Sequence, residues 1–286
     1  MTAWAATRSW LFAAAPLDRL AVFRLLVYLF IPLDVLVTRT MGTYHAYADP
    51  ALYQPLFVGR LLPLPTPTHT LVLACQWLLV GTALLAATGR APRLLGTVVF
   101  VLYFEWMIIA FSYGKVDHDR FAFLVALAVL ATVGRARWSD RTESEAAGWA
   151  LRMVQIAVVL TYFLAAFAKL RFGGIEWVNS ATLARAVLRR GTFLAEPLLG
   201  MPWTLQAGQW FIVAFELASP VLLFANAKWR TRLVVFLVGF HVATYAGITI
   251  IFLPHVLCLA AFLPLEVLPR RLSQWRAQRA RAPVVQ

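Results

Sequence analysis

Charge is scarce in this chain, and acid scarcer still. Of 286 residues only 14% are charged, with 13 acidic against 26 basic, while 61% are apolar. A soluble domain carries about a quarter charged residues. This inventory cannot cover a core with water-facing side chains, so a soluble globular fold is excluded and lipid is the expected solvent for most of the surface. The formal charge of +13 would point to nucleic acid in a soluble protein. Here no basic stretch carries interleaved aromatics on a polar module, so nucleic acid is not an expected partner and membrane lipids are. Cysteine is nearly absent. Cys75 and Cys258 form no C-x-x-C pair and each sits in an apolar run, which leaves no disulfide framework and no cysteine-based metal site. No metal is expected, and whether the two thiols approach one another stays open. Low-complexity segments and internal repeats are also missing. The lack of repeats counts against a transporter built from inverted halves.

What is present is a series of long apolar runs at 19–38, 70–88, 94–112, 119–133, 150–168, 206–226, 232–250 and 254–268. Most approach the roughly 20 residues a helix needs to cross about 30 Å of hydrocarbon. The expected architecture is therefore all-α, a polytopic bundle of about eight transmembrane helices. It divides into an interfacial segment at 1–18, a transmembrane domain at 19–268 and a basic tail at 269–286. A break is expected between Gly247 and Pro254. The apolar stretch Trp10 to Ala15 is too short for a signal-peptide core, so the first long run reads as an uncleaved span. Lysine and arginine divide about sixteen to nine between the two sides, with Arg24 inside the first run. The basic turns at 89–93 and 227–232 and the acid-free stretch 270–281 fall on the richer side. That side, which holds both termini, is expected to be cytoplasmic, in the cell (plasma) membrane.

Two longer connections fall on the outer side, Arg39 to His69 and Arg171 to Leu205. In the second, Asn179 or Ser180 is placed to cap a helix whose Leu183, Val187 and Leu188 share a face and which Gly191 ends, an arrangement suited to the membrane interface. Ionisable residues inside the runs are the candidates for function: Arg24, Asp34, Glu105, Glu216 and His241. Structural pairing explains the first four as readily, and Glu216 would then hold a helix crossing. A second cluster lies near the outer surface. Asp117 and His118 open the fourth run, where a solvated, capped turn is the plain reading. Lys169 closes the fifth, where a snorkelling lysine is the plain reading.

Several segments, in order, resemble one family. They are Pro16-Leu-Asp-Arg with Phe23-Arg24, Leu64-Pro-Thr-Pro-Thr-His-Thr-Leu, Gly89-Arg90, Val116-Asp117-His118 and Trp138-Ser-Asp140. They continue with Tyr162-Phe-Leu-Ala-Ala-Phe-Ala-Lys169-Leu, Trp177, Phe240-His241 and Phe252. Over nearly all of 16–268 the chain resembles the horizontally transferred transmembrane (HTTM) domain proteins, whose best-known members are the vitamin K-dependent gamma-carboxylases. The resemblance implies a quinol-dependent carboxylation or related redox modification, with reduced vitamin K or menaquinol as cofactor. It implies Lys169 as the base and His118 as its hydrogen-bonding partner. Around a quinone ring it places Trp106, Tyr113 and Tyr162, together with Tyr103, Asp117 and His241. Val116 and Asp117 stand where the family has two asparagines, and an aspartate close to Lys169 would favour its charged form. Within these residues there is no counterpart of the large soluble region with which the carboxylases recruit protein, so the expected substrate is small or a peptide. The other class of reading is a non-enzymatic scaffold, assembly partner of a membrane or soluble protein, or transporter-like protein. In that class Lys169 points to headgroups and the intramembrane acids pair off.

Overall fold

Hydrocarbon offers no hydrogen bonds, so a chain this apolar must satisfy its backbone within each segment. The computed structural model describes residues 2–37, 42–62 and 64–281, and it is almost wholly helical. Arg39 of the expected outer connection and residues 282–286 of the expected tail lie outside the described residues. The chain divides into two compact units, Met1–Val154 with Pro264–Gln286, and Gln155–Leu263.

The first unit contains α1 (Ala3–Leu11), α2 (Leu17–Pro32, continued by a π turn through Val37), α3 (His69–Ala87), α4 (Pro92–Phe111) and α5 (Phe121–Thr132). The start of α6 (Glu145–Gly173) and the whole of α11 (Val267–Arg281) belong to it too. The rest of α6, α7 (Thr182–Arg190), α8 (Pro202–Ala218), α9 (Ala227–Ile248) and α10 (Leu253–Cys258) form the second unit. Among the described residues five stretches are long and apolar enough to cross a membrane: α2 with its π turn, α3, α4, α6 and α9. A sixth is reached if the pair Leu253–Phe262 and Val267–Arg276, bent by 73°, counts as one span. The fold is thus a multi-span α-helical membrane bundle.

The runs that fall short of a full span do so for readable reasons. The run 119–133 yields only the twelve residues of α5, about 18 Å of helix. Run 206–226 is cut at Ser219-Pro220, where proline cannot continue the α8 ladder, and Ser219 Oγ donates to the Val159 carbonyl 3.3 Å away. The break expected after Gly247 is present: α9 ends at Ile248, and Thr249 turns the chain with a φ of 55°. The stretch expected as a basic tail is helical through Arg281.

Polar contacts lock the first unit. Arg24, 3% exposed, donates to the carbonyls of Gly134 (3.1 Å), Leu130 (3.3 Å) and Val133 (3.0 Å). It thereby caps the end of α5 from within another helix. Asp34, in the π turn, accepts from Tyr103 Oη at 2.9 Å and from Arg120. At the other end Arg19 binds Glu266 (2.6 Å) and Arg270 binds Asp18 (2.9 Å), which ties α11 to the start of α2. The only strands among the described residues are Ala15–Pro16 and Glu143–Ser144, paired antiparallel with Ala15 opposite Ser144.

This pairing depends on Gly148. A Cβ there would lie 1.8 Å from the Ala13 carbonyl oxygen, a backbone atom with nowhere to go. Gly148→Ala should therefore destabilise the unit by about 1–3 kcal/mol. Gly81→Ala, where a Cβ meets nothing within 4 Å, should be neutral or slightly stabilising. Thermal unfolding of the two variants beside wild type in detergent checks both.

Candidate functional site

Four buried residues of α8, Leu205, Gln209, Val213 and Glu216, lie on one stripe at helical spacing. Two of the four are polar, and each organises its surroundings. Gln209 stitches the connection that runs over α8. Its amide nitrogen donates to the carbonyls of Trp177 (3.0 Å), Val178 (2.9 Å) and Ser180 (3.0 Å), while its amide oxygen accepts from the Leu183 N–H at 2.7 Å. The cap of α7 is therefore supplied by a neighbouring helix, not by Asn179 or Ser180. Gly191 does end α7, for a steric reason: a Cβ would sit 2.4 Å from the Val187 carbonyl oxygen. Val187 is buried, but Leu188 is 73% exposed and does not share its face.

Two turns further along the same stripe, Glu216 receives Lys169. The lysine Nζ lies 2.7 Å from Oε1 and 2.5 Å from Oε2, and 5.3 Å from the centre of the Trp177 ring. Both side chains are mostly covered, the lysine 22% and the glutamate 8% exposed. Lys169 thus turns inward to a carboxylate. The carboxylate that Lys169 meets is Glu216, whereas Asp117 pairs with Lys115 at 2.5 Å.

Beside this pair lies an imidazole and phenol cluster. Tyr162 Oη is 2.7 Å from His241 Nε2. The His255 ring stands edge-on to Tyr162, with centroids 4.5 Å apart, and lies 5.5 Å from His241. Phe215, Phe240 and Phe252 surround the group, at 4.6 Å between Phe215 and Phe240 and 5.0 Å between His241 and Phe252. Phe215, the residue before Glu216, has its ring 6.2 Å from that of Tyr162. The second unit therefore brings together Lys169, Tyr162 and His241 of the residues expected from sequence. Glu216, which the sequence offers as a candidate with structural pairing as ready an explanation, joins them, and Trp177 and His255 are added. His255 follows Pro254 directly at the start of α10. That helix-breaking proline before a buried histidine is the signal that marks it.

The remaining expected residues lie in the first unit. His118 opens a short 3-10 turn, His118–Arg120, and is exposed. Trp106 is wholly buried, and its indole N–H meets no protein acceptor. Tyr113 stacks on His45 with ring centroids 4.0 Å apart and lies 5.6 Å from Tyr53. Burial lowers the His45 imidazole below its ordinary value and raises the Tyr53 and Tyr113 phenols. Tyr103 is fully buried and committed to Asp34 and Arg120, so no face of it is open to a quinone ring. Both cysteines are free, buried thiols.

A buried ion pair is fragile to the loss of one member. Lys169→Met and Glu216→Leu should each lower stability by about 3 kcal/mol, because each strands a desolvated polar partner. The double variant Lys169→Met/Glu216→Leu should recover most of the loss. A double-mutant cycle by chemical or thermal unfolding in detergent measures this, and strictly additive losses would show that the two side chains do not interact.

Residues 12–267 match the model of the HTTM domain. No curated protein matches the chain, and neither does any solved structure. The match covers most of the chain and includes every residue of both clusters described above, so this multi-pass membrane protein belongs to the HTTM domain family.

Proposed function

We propose that the protein is an enzyme of the cell (plasma) membrane that uses a reduced quinone, reduced vitamin K or menaquinol, to carboxylate or oxidatively modify a small or peptide substrate at the outer face. The observation that carries this reading is the inward turn of Lys169 onto Glu216, beside Tyr162, His241 and His255. A lysine with a purely anchoring role at a helix end would reach for headgroups.

The residues present suit a flat, two-ended phenolic ring. Phe215, Phe240 and Phe252 offer apolar and edge-on contacts, while Tyr162 and His241 offer a donor and an acceptor 2.7 Å apart. Bound reduced quinone supplies, on reaction with oxygen, the strong base that removing a proton from carbon requires. The part of this chain is to move the first proton. Glu216 holds the proton that Lys169 gives up, and the neutral amine accepts one from a phenolic hydroxyl. Trp177, over the ammonium, limits water at the pair. His241 fixes the Tyr162 hydroxyl and sets its direction. His118 remains the proposed hydrogen-bonding partner carried over from the family.

A non-enzymatic scaffold or assembly role is the second reading, and one observation favours it. Asp34 pairs with Arg120 just as Glu216 pairs with Lys169, as expected where intramembrane acids only hold helices together.

The test uses purified protein in lipid with reduced vitamin K or menaquinol, oxygen and labelled bicarbonate. Wild type should form quinone epoxide. Lys169→Ala should lose about a hundredfold or more, and Glu216→Gln should lose activity without losing quinol binding. No epoxide and no quinol binding in wild type would reject the enzymatic reading in favour of the scaffold.

A further inference from the structure

The first unit holds a cavity of about 450 Å³ that nothing above uses. Arg24, Arg90, Arg135 and Arg137 line it, and its lining includes no acidic residue. Ala21, Leu25 and Ala87 add apolar lining, and Trp138 lines it too.

Three features make this more than a loosely basic surface. Arg24 is 97% buried, by its 3% exposure, yet its Nε–H meets no protein acceptor while its other nitrogens cap α5. A buried guanidinium donor without an acceptor is a costly arrangement that an incoming anion relieves. Among the described residues Arg90 and Arg135 have no carboxylate within ion-pair distance. Asp140, three residues after Arg137, accepts from the Thr142 N–H and is not among the cavity's lining residues. The lining is also held in a set shape. Gly89 and Ala91 both turn with positive φ, 74° and 38°, and an alanine holds that conformation only under constraint.

Convergent arginines, apolar lining and a tryptophan are the chemistry of a phosphate group carried by a lipid. We propose that this cavity binds the phosphate of an anionic phospholipid headgroup at the end of the bundle assigned to the cytoplasm. The glycerol region lies along Ala21, Leu25 and Ala87, and the phosphate faces Arg24, Arg90 and Arg135. Such a lipid would complete the cap that Arg24 places on α5 and hold the 88–91 and 134–138 turns together.

The test uses full-length protein extracted from nanodiscs of equal parts phosphatidylglycerol and phosphatidylcholine, with retained lipid counted by native mass spectrometry. Wild type should retain phosphatidylglycerol over phosphatidylcholine. Arg90→Gln/Arg135→Gln changes only exposed turn residues and leaves the α5 cap intact, and it should reduce that retention about tenfold or more. Arg8→Gln/Lys228→Gln removes the same charge at residues that do not line the cavity and should retain the lipid as wild type does. Millimolar inorganic phosphate separates the two sources of the group. If it leaves the retained lipid in place, the site holds a headgroup. If it displaces the lipid and raises the unfolding temperature of delipidated wild type but not of Arg90→Gln/Arg135→Gln, the same arginines hold a phosphate drawn from solution. Equal retention in wild type and Arg90→Gln/Arg135→Gln, or an equal loss in the Arg8→Gln/Lys228→Gln control, would overturn the proposal.

Discussion

Lys169 is carried on a helix whose neighbouring residues are phenylalanine, alanine and leucine, and an ammonium in that setting has two stable exits. It can extend to the headgroups, or it can turn inward if a carboxylate waits there. Glu216 makes the second exit available, and much of the second unit is arranged so that it can. Glu216 lies on the same face of α8 as Gln209, whose four hydrogen bonds hold the chain from Trp177 to Leu183 over that helix. The same chain places Trp177 over the ammonium. Tyr162, two turns before Lys169 on α6, then faces His241 of α9 and His255 of α10. One ion pair, one glutamine and one phenol–imidazole contact thus draw five segments around a polar centre.

The first unit solves the same problem without chemistry in view. Arg24 satisfies three carbonyls at the end of the short helix α5, and Asp34 receives both Tyr103 of α4 and Arg120 of the turn before α5. These contacts replace water where none is present. They account for charges that composition alone would mark as functional. What distinguishes the second unit is that its pair sits among groups able to exchange protons.

Long apolar runs made the helical membrane fold readable, because length and hydropathy alone decide whether a segment belongs in hydrocarbon. The shortfall at α5 and the cut in α8 were less readable. Each turns on where the neighbouring structure lets a helix end, as with the bond from Ser219 to Val159. Lys169 and Tyr162 were tied to a site through resemblance to a family, whereas His241 and Glu216 already stood out as ionisable residues inside apolar runs, with structural pairing as ready an explanation for Glu216. The buried stripe of α8 alternates Leu205 and Val213 with Gln209 and Glu216, so an apolar-periodicity reading underrates it. Pairings such as Lys169 with Glu216, 47 residues apart, are set by tertiary packing and leave no local trace. The same holds for the Gln209 cap on α7, which the sequence assigned to the nearer Asn179 or Ser180.

The account rests on Lys169 being held inside by Glu216, and lysine footprinting tests that directly. The chain has three lysines, Lys115, Lys169 and Lys228. In nanodiscs, a small water-soluble amine reagent followed by mass spectrometry gives a rate for each. Lys169, 22% exposed against 67% for Lys115, should react much the slowest in wild type. It should approach the others in Glu216→Gln. Equal rates for all three lysines in wild type would mean that Lys169 reaches the headgroups, and would contradict the account.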